Sequence, residues 1–135
     1  MISNYHGSRC PDKGGKVGTG KNFDCIKTPF DMIKAANTGG ETTGAAGCAV
    51  DSKDNIVSRA KLAAAVAAAQ DAETVVMIMG IGQGQEREGQ DRYNTTLPGL
   101  QIELAEKVLA LGKPTVLVLI HGGAMSLGPL KDKYP

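Results

Sequence analysis

Tryptophan is absent from these 135 residues, aromatic side chains make up 4%, and histidine occurs twice. So few flat rings leave no platform on which bases could stack. No charge of one sign dominates either. Fifteen basic and fourteen acidic residues give a net charge of +1, and no arm or stripe collects the positive side chains. That excludes nucleic acid as the main partner. His6 and His121 stand far apart, with no HxxxH or HExxH spacing, so no metal site is read. Cys10, Cys25 and Cys48 form no CxxC pair, which argues against a zinc knuckle or a redox dithiol. One disulfide with one free thiol and three reduced thiols both fit this composition. The hydrophobic runs are only strand-length, and the opening MISNYHGSRC lacks the apolar core of a leader. Neither a membrane span nor a signal peptide is therefore read in this chain.

What is present is an alternation of helical and strand patterns. Residues 8–24 include SRCPDKGGKVGTGKN, rich in Gly and Lys and poor in apolar residues, and read as an exposed insertion. Thr28-Pro29 fits a capped helix start, followed by FDMIKAA and an end near Asn37-Gly40. TTGAAGCAV, 42–50, carries a weak strand pattern. SRAKLAAAVAAAQ, 58–70, is the best helix, with Ser58 as its cap. Val75 to Met79 reads as a buried strand. Pro98 opens another helix, with Leu100, Leu104, Val108 and Leu111 on its apolar face and a Glu103–Lys107 pair four residues apart. Gly112 ends it, and TVLVLI, 115–120, is the next strand. Both strands are apolar without alternation, as expected where helices cover both faces of a parallel sheet. The fold class is α/β: a partial α/β/α sandwich with a mainly parallel sheet, incomplete at both ends.

Two glycine patterns invite nucleotide readings and fail. Gly80-Ile81-Gly82-Gln83-Gly84 follows a strand, yet Gln85 stands where a third glycine should open a helix. Gly15 to Lys21 has the spacing of a phosphate loop, but Asn22 replaces the Ser or Thr that would reach magnesium, and no strand precedes it. Glu86, Glu88 and Asp91 do not have calcium-loop spacing. No cofactor and no metal are expected.

The stretch GQGQEREGQDRYNTTLPG, 82–99, is unusual for the exit from a buried strand, with three acidic side chains and two arginines. Loops at this edge of an open α/β sheet are where its sites form. Gly89 lets a ligand approach Glu88 closely, and Arg92 can make a two-pronged pair with a carboxylate, either Asp91 or one from a neighbouring domain. A carboxyl group near another acid, or partly desolvated, keeps its proton longer and suits general-acid work. His121, ending a strand at the same edge, is a candidate to line a cleft. The bland reading is a solvated loop stiffened by salt bridges.

VVMIMGIGQGQEREGQDRYNTTLPGLQIELAEKVLALGKPTVLVLIHGGAMSL closely resembles the C-terminal α/β sandwich domain of glycoside hydrolase family 3, nearest to its β-xylosidase and β-glucosidase members. The ExEGxDR loop, LPG, GKPxVxVL and GG carry the resemblance; MISNYHG, TPF at 28–30 and Gly47-Cys48 also fit it. On this resemblance residues 1–135 are a partial domain of that kind. It implies a retaining O-glycosyl hydrolase acting on a β-linked oligosaccharide or aryl glycoside. An Asp nucleophile would come from an N-terminal barrel domain missing here, and a Glu acid/base from this domain, with the two carboxyl groups roughly 5 Å apart. One form of the family motif points to Glu88 and another to Glu86; both are candidate catalytic residues, with Glu88 preferred as proton donor. Asp91 and Arg92 would order the loop or bind substrate.

Without the barrel the chain is expected to be inactive. The alternative is a non-catalytic carbohydrate-binding or accessory α/β domain. The resemblance implies an extracellular or cell-wall location, periplasmic in a bacterium. A Cys10–Cys25 disulfide would then close a loop around the insertion, with reduced cysteines an equal alternative. Asn94-Thr95-Thr96 is a glycan acceptor sequence in a secreted eukaryotic chain, and its place beside the charged loop weighs against occupancy.

Overall fold

The computed structural model describes residues 9–16 and 23–133. His6, the MISNYHG segment and most of the Gly15–Lys21 pattern lie outside the described residues. The described chain separates into two compact units, one before residue 44 and one from 44 onward.

In the first unit, Cys10 and Cys25 are joined by a disulfide. Helix α1, Pro29–Ala36, begins as its sequence predicts. Thr28 Oγ1 accepts from the Asp31 backbone N–H at 3.1 Å, and Asp31 Oδ2 accepts from the Thr28 N–H at 2.9 Å. This reciprocal capping box satisfies two amides that a helix start leaves without partners. Pro29 follows where its missing N–H costs nothing.

The second unit contains α2 (Ile56–Asp71), β1 (Val75–Gly80), α3 (Gln101–Leu109), β2 (Thr115–Ile120) and a 3-10 helix, Gly128–Lys133. β1 and β2 pair in parallel, with Met77 opposite Leu117 and Met79 opposite Leu119. The chain is thus α/β, with the parallel strand pair its pattern predicts. Segment 42–50 forms no strand: Gly47 takes φ +68°, which breaks an extended run. A β carbon there would press on the Leu104 side chain, so glycine permits close packing against α3.

Two helix starts differ from the expected positions. α2 begins at Ile56 rather than Ser58, because Asn55 caps it: Asn55 Oδ1 accepts from the Ser58 N–H at 3.0 Å. Asn is as good a cap as Ser, and this register gains two more helical residues. α3 begins at Gln101 rather than Pro98, since Gly99 adopts φ +64° and passes tightly against the backbone of Ser52. Its apolar face is as predicted, with Leu100, Leu104 and Val108 buried, and Lys107 Nζ lies 3.8 Å from Glu103 Oε1.

The core gathers Leu62 and Ala69 of α2, Met77 and Met79 of β1, and Leu104, Ala105 and Val108 of α3, with Leu117 and Leu119 against it. These side chains share one face of the strand pair. Val76, Val116 and Val118, on the other face, are exposed by 37–52%. The expectation of helices over both faces is met on one face only among the described residues. Both helices are held at their polar edges by Arg59 of α2, which pairs with Asp54 and with Glu103 of α3. That contact keeps the Asp54 carboxyl below its ordinary range.

Candidate functional site

The charged stretch leaves β1 at its carboxyl end and is anchored at both ends by apolar side chains. Ile81 is fully buried and its N–H donates to Ile120 O at 3.0 Å, extending the ladder by one bond beyond the strand. Leu97, at the far end, is buried in the core. Between these anchors the backbone folds on itself. Gln85 and Glu86 both donate their N–H to Gly82 O, and Gln85 Oε1 accepts from the Gly82 N–H at 2.9 Å.

Arg87 and Gln90 then exchange both backbone hydrogen bonds, at 3.1 and 2.9 Å, making a minimal hairpin with Glu88-Gly89 at its tip. Gly89 has φ +75°, the left-handed value that the second corner of a type II turn requires. The tip is strapped down: Arg87 Nη1 donates to Gln83 O at 3.0 Å and Gln90 Nε2 to Gly84 O at 3.1 Å. Glu88 is exposed there, with no hydrogen bond or ion pair to a described residue. A carboxyl group on a braced turn, with both oxygens open, can reach a ligand and give or take a proton.

Glu86 occupies a different setting. Its Oε2 lies 2.7 Å from Arg92 Nε, and the two side chains are only 15% and 11% exposed. Of the carboxylates considered for Arg92, Asp91 or one from a neighbouring domain, Asp91 faces solvent, and Arg92 turns inward to pair with Glu86. The Arg92 guanidinium also donates to Asn94 O at 3.3 Å and to Ala124 O. Ala124 belongs to the loop after β2, so one side chain joins the loops at the carboxyl ends of both strands. A second join is backbone only: Ser126 N–H donates to Thr95 O at 2.9 Å.

His121 follows β2 on this second loop and is exposed. Its Nδ1 lies 2.6 Å from Gly123 O; a carbonyl can only accept, so Nδ1 carries a proton and donates to it. Gly123 in turn makes room for Glu86, since a β carbon there would run into the Glu86 carboxylate. The structure thus brings Glu86, Arg92 and the His121–Ala124 loop together. It places Glu88 and Asp91 on the exposed side.

Residues outside the sequence-level candidates also build the site. Gln101, buried in α3, accepts from Gly80 N–H at 2.8 Å and donates to Gly80 O at 2.9 Å and Val50 O at 2.8 Å. Its amide is fully used in fixing the last residue of β1, from which the loop departs. A polar residue at a buried helix position was the only signal of this role. Among the described residues no group of three or more His, Cys, Asp or Glu could hold a metal ion, and no helix is long and apolar enough to cross a membrane.

Residues 4–135 match the Glycosyl hydrolase family 3 C-terminal domain. Beta-D-xylosidase 3 of Arabidopsis thaliana is 34% identical over 128 residues, 94% of this chain and 14% of its own length. The periplasmic beta-glucosidase of Salmonella typhimurium is 43% identical over 63 residues, 47% of this chain and 8% of that enzyme. Among solved structures, a β-glucosidase from Erythrobacter marinus matches with a TM-score of 0.67 at 34% identity, over 77% of this chain and 17% of that one. The chain therefore spans less than a fifth of the length of each of these relatives.

Proposed function

Since the chain belongs to glycosyl hydrolase family 3, as its C-terminal domain, we propose that it supplies the acid/base loop of a retaining β-xylosidase or β-glucosidase. Glu88 is the proton donor and Glu86 the positioning carboxylate. The observation that carries this reading is the contrast between the two acids. Glu86 is paired with Arg92 and largely shielded, whereas Glu88 stands open on a hairpin tip braced from behind. In the first half of the reaction Glu88 delivers its proton to the departing glycosidic oxygen. In the second it takes a proton from the attacking water. The nucleophile belongs to a barrel domain outside this chain, so the 135 residues alone turn over nothing. Asp91, beside the tip, and His121, after β2, meet sugar hydroxyls in this reading.

The work of such an enzyme is removal of xylose or glucose from non-reducing ends, as in xylan breakdown, outside the cell or in the periplasm. The Cys10–Cys25 disulfide supports an oxidising compartment. The test is Glu88→Gln in the barrel-containing enzyme that carries this loop. Hydrolysis of xylobiose or cellobiose should fall roughly 10²–10⁴-fold. An aryl glycoside with a good leaving group, which needs little protonation, should lose much less in the first step. Near-normal hydrolysis of the unactivated disaccharides would overturn the assignment to Glu88 and pass the proton-donor role to Glu86; near-normal rates in Glu86→Gln as well would leave an accessory, sugar-binding role.

A further inference from the structure

We infer that Asn94 is an N-glycan acceptor whose oligosaccharide stands on the surface beside the charged loop without disturbing it. Asn94-Thr95-Thr96 is the only Asn-X-Ser/Thr sequence in the chain. Its place beside the charged loop weighs against modification by sequence alone, and the side-chain geometry removes that objection. Asn94 is exposed, and its neighbour Tyr93 is fully so. The Asn94 amide turns away from the Glu86–Arg92 pair and back on its own sequon. Oδ1 accepts from the Thr96 N–H at 2.9 Å and from Thr96 Oγ1 at 2.8 Å. What Arg92 uses is the Asn94 backbone carbonyl.

Every described hydrogen bond of the Asn94 side chain thus runs through oxygen, leaving Nδ2 outside the network. Glycosylation alters only that nitrogen. Nδ2 loses one proton and bonds to the sugar anomeric carbon, while the carbon–oxygen bond to a lipid diphosphate breaks and the diphosphate leaves with the electron pair. The carbonyl survives as an acceptor, so the turn onto Thr96 persists in the product. The segment is also held on its far side, through the Thr95 carbonyl and the Thr96–Ser126 bridge, and has no need to move to present Asn94.

This inference rests on passage through a eukaryotic secretory route, which the experiment supplies so that acceptance by Asn94 is read apart from the natural location. The whole chain is produced behind a cleavable leader in eukaryotic cells. Intact mass is measured before and after peptide-N-glycosidase, with and without denaturant. The expected result is one discrete oligosaccharide mass, released from the undenatured chain with Asn94 converted to Asp. Asn94→Asp, which keeps an acceptor oxygen for Thr96, and Thr96→Ala should both lack that mass. A leader-cleaved wild-type chain with no added mass, or added mass persisting in Asn94→Asp, would overturn the acceptor assignment. Release only after denaturation would overturn its surface placement.

Discussion

Arg92 and Glu86 meet at 2.7 Å through Nε and Oε2, and the same guanidinium donates to the carbonyl of Ala124, so one side chain ties together the loops that follow β1 and β2. Both partners are largely shielded, and removing Arg92 takes the cationic partner from a partly buried carboxylate. Arg92→Ala should therefore cost roughly 3 kcal/mol in a urea or thermal unfolding experiment. Arg92→Lys should recover only part of this, because a single ammonium cannot reproduce a planar fork addressing three acceptors. Full stability in both variants would show that the pair contributes nothing.

Gly123→Ala probes the same contact from the other side. A methyl group in that position collides with the Glu86 carboxylate. The expected outcome is displacement of Glu86 from Arg92, a stability loss of roughly 1–3 kcal/mol, and reduced hydrolysis in the complete enzyme. Unfolding midpoints together with a structure of the variant would check it; an unmoved Glu86 would contradict the packing described.

Gln101→Leu removes an amide that serves Gly80 twice and Val50 once. Each buried backbone group left without a partner costs about 1–3 kcal/mol, so the variant should unfold at clearly lower denaturant concentration. Amide exchange at Gly80 should accelerate selectively. Unchanged protection at Gly80 would mean that the clamp is dispensable.

The α1 cap carries a pH dependence. Asp31 is held below its ordinary carboxyl value of 3.8, first by the Thr28 side-chain hydrogen bond and then by the Thr28 backbone. A lowered folded value means that the contribution is complete above the ordinary value and disappears as pH falls through the folded one. Helix signals for residues 29–36 should weaken below about pH 4, and Thr28→Ala should make that loss shallower. A titration insensitive to Thr28 would rule out the capping box as its origin.

Thiol counting tests the cysteines. With Cys10 and Cys25 joined, only Cys48 is free in the native chain. Burial pushes its thiol above the ordinary value, a hydrogen bond from Ser52 opposing this in part. One slow alkylation before reduction and three after denaturation with reductant are expected. Three fast alkylations without reductant would show that the disulfide is absent.

Elements governed by local chemistry were legible in the sequence. Thr28-Pro29 at the start of α1, the two apolar strand runs, and the Leu100–Leu104–Val108 stripe all describe interactions within a few residues of one another. Prediction slipped where two local signals competed, as between Asn55 and Ser58, or where a distant backbone decided, as at Gly99 against Ser52. The charged loop could be recognised as a site because its composition clashes with the strand before it. Its internal wiring could not. Whether Arg92 turns to Asp91 or Glu86 depends on where the loop after β2 lies, and Gln101 acquires its role only when α3 packs beneath the end of β1.

The join between the two loops has an uneven grammar. Arg92 reads the carbonyl of residue 124 and is indifferent to the side chain that residue carries, so a substitution at 124 leaves this contact in place. One residue earlier there is no such licence. A change at 123 intrudes on Glu86, and enlarging it demands a smaller or displaced acid at 86. Adjacent letters of one short loop therefore carry opposite tolerances for substitution, one set by Arg92 and the other by Glu86.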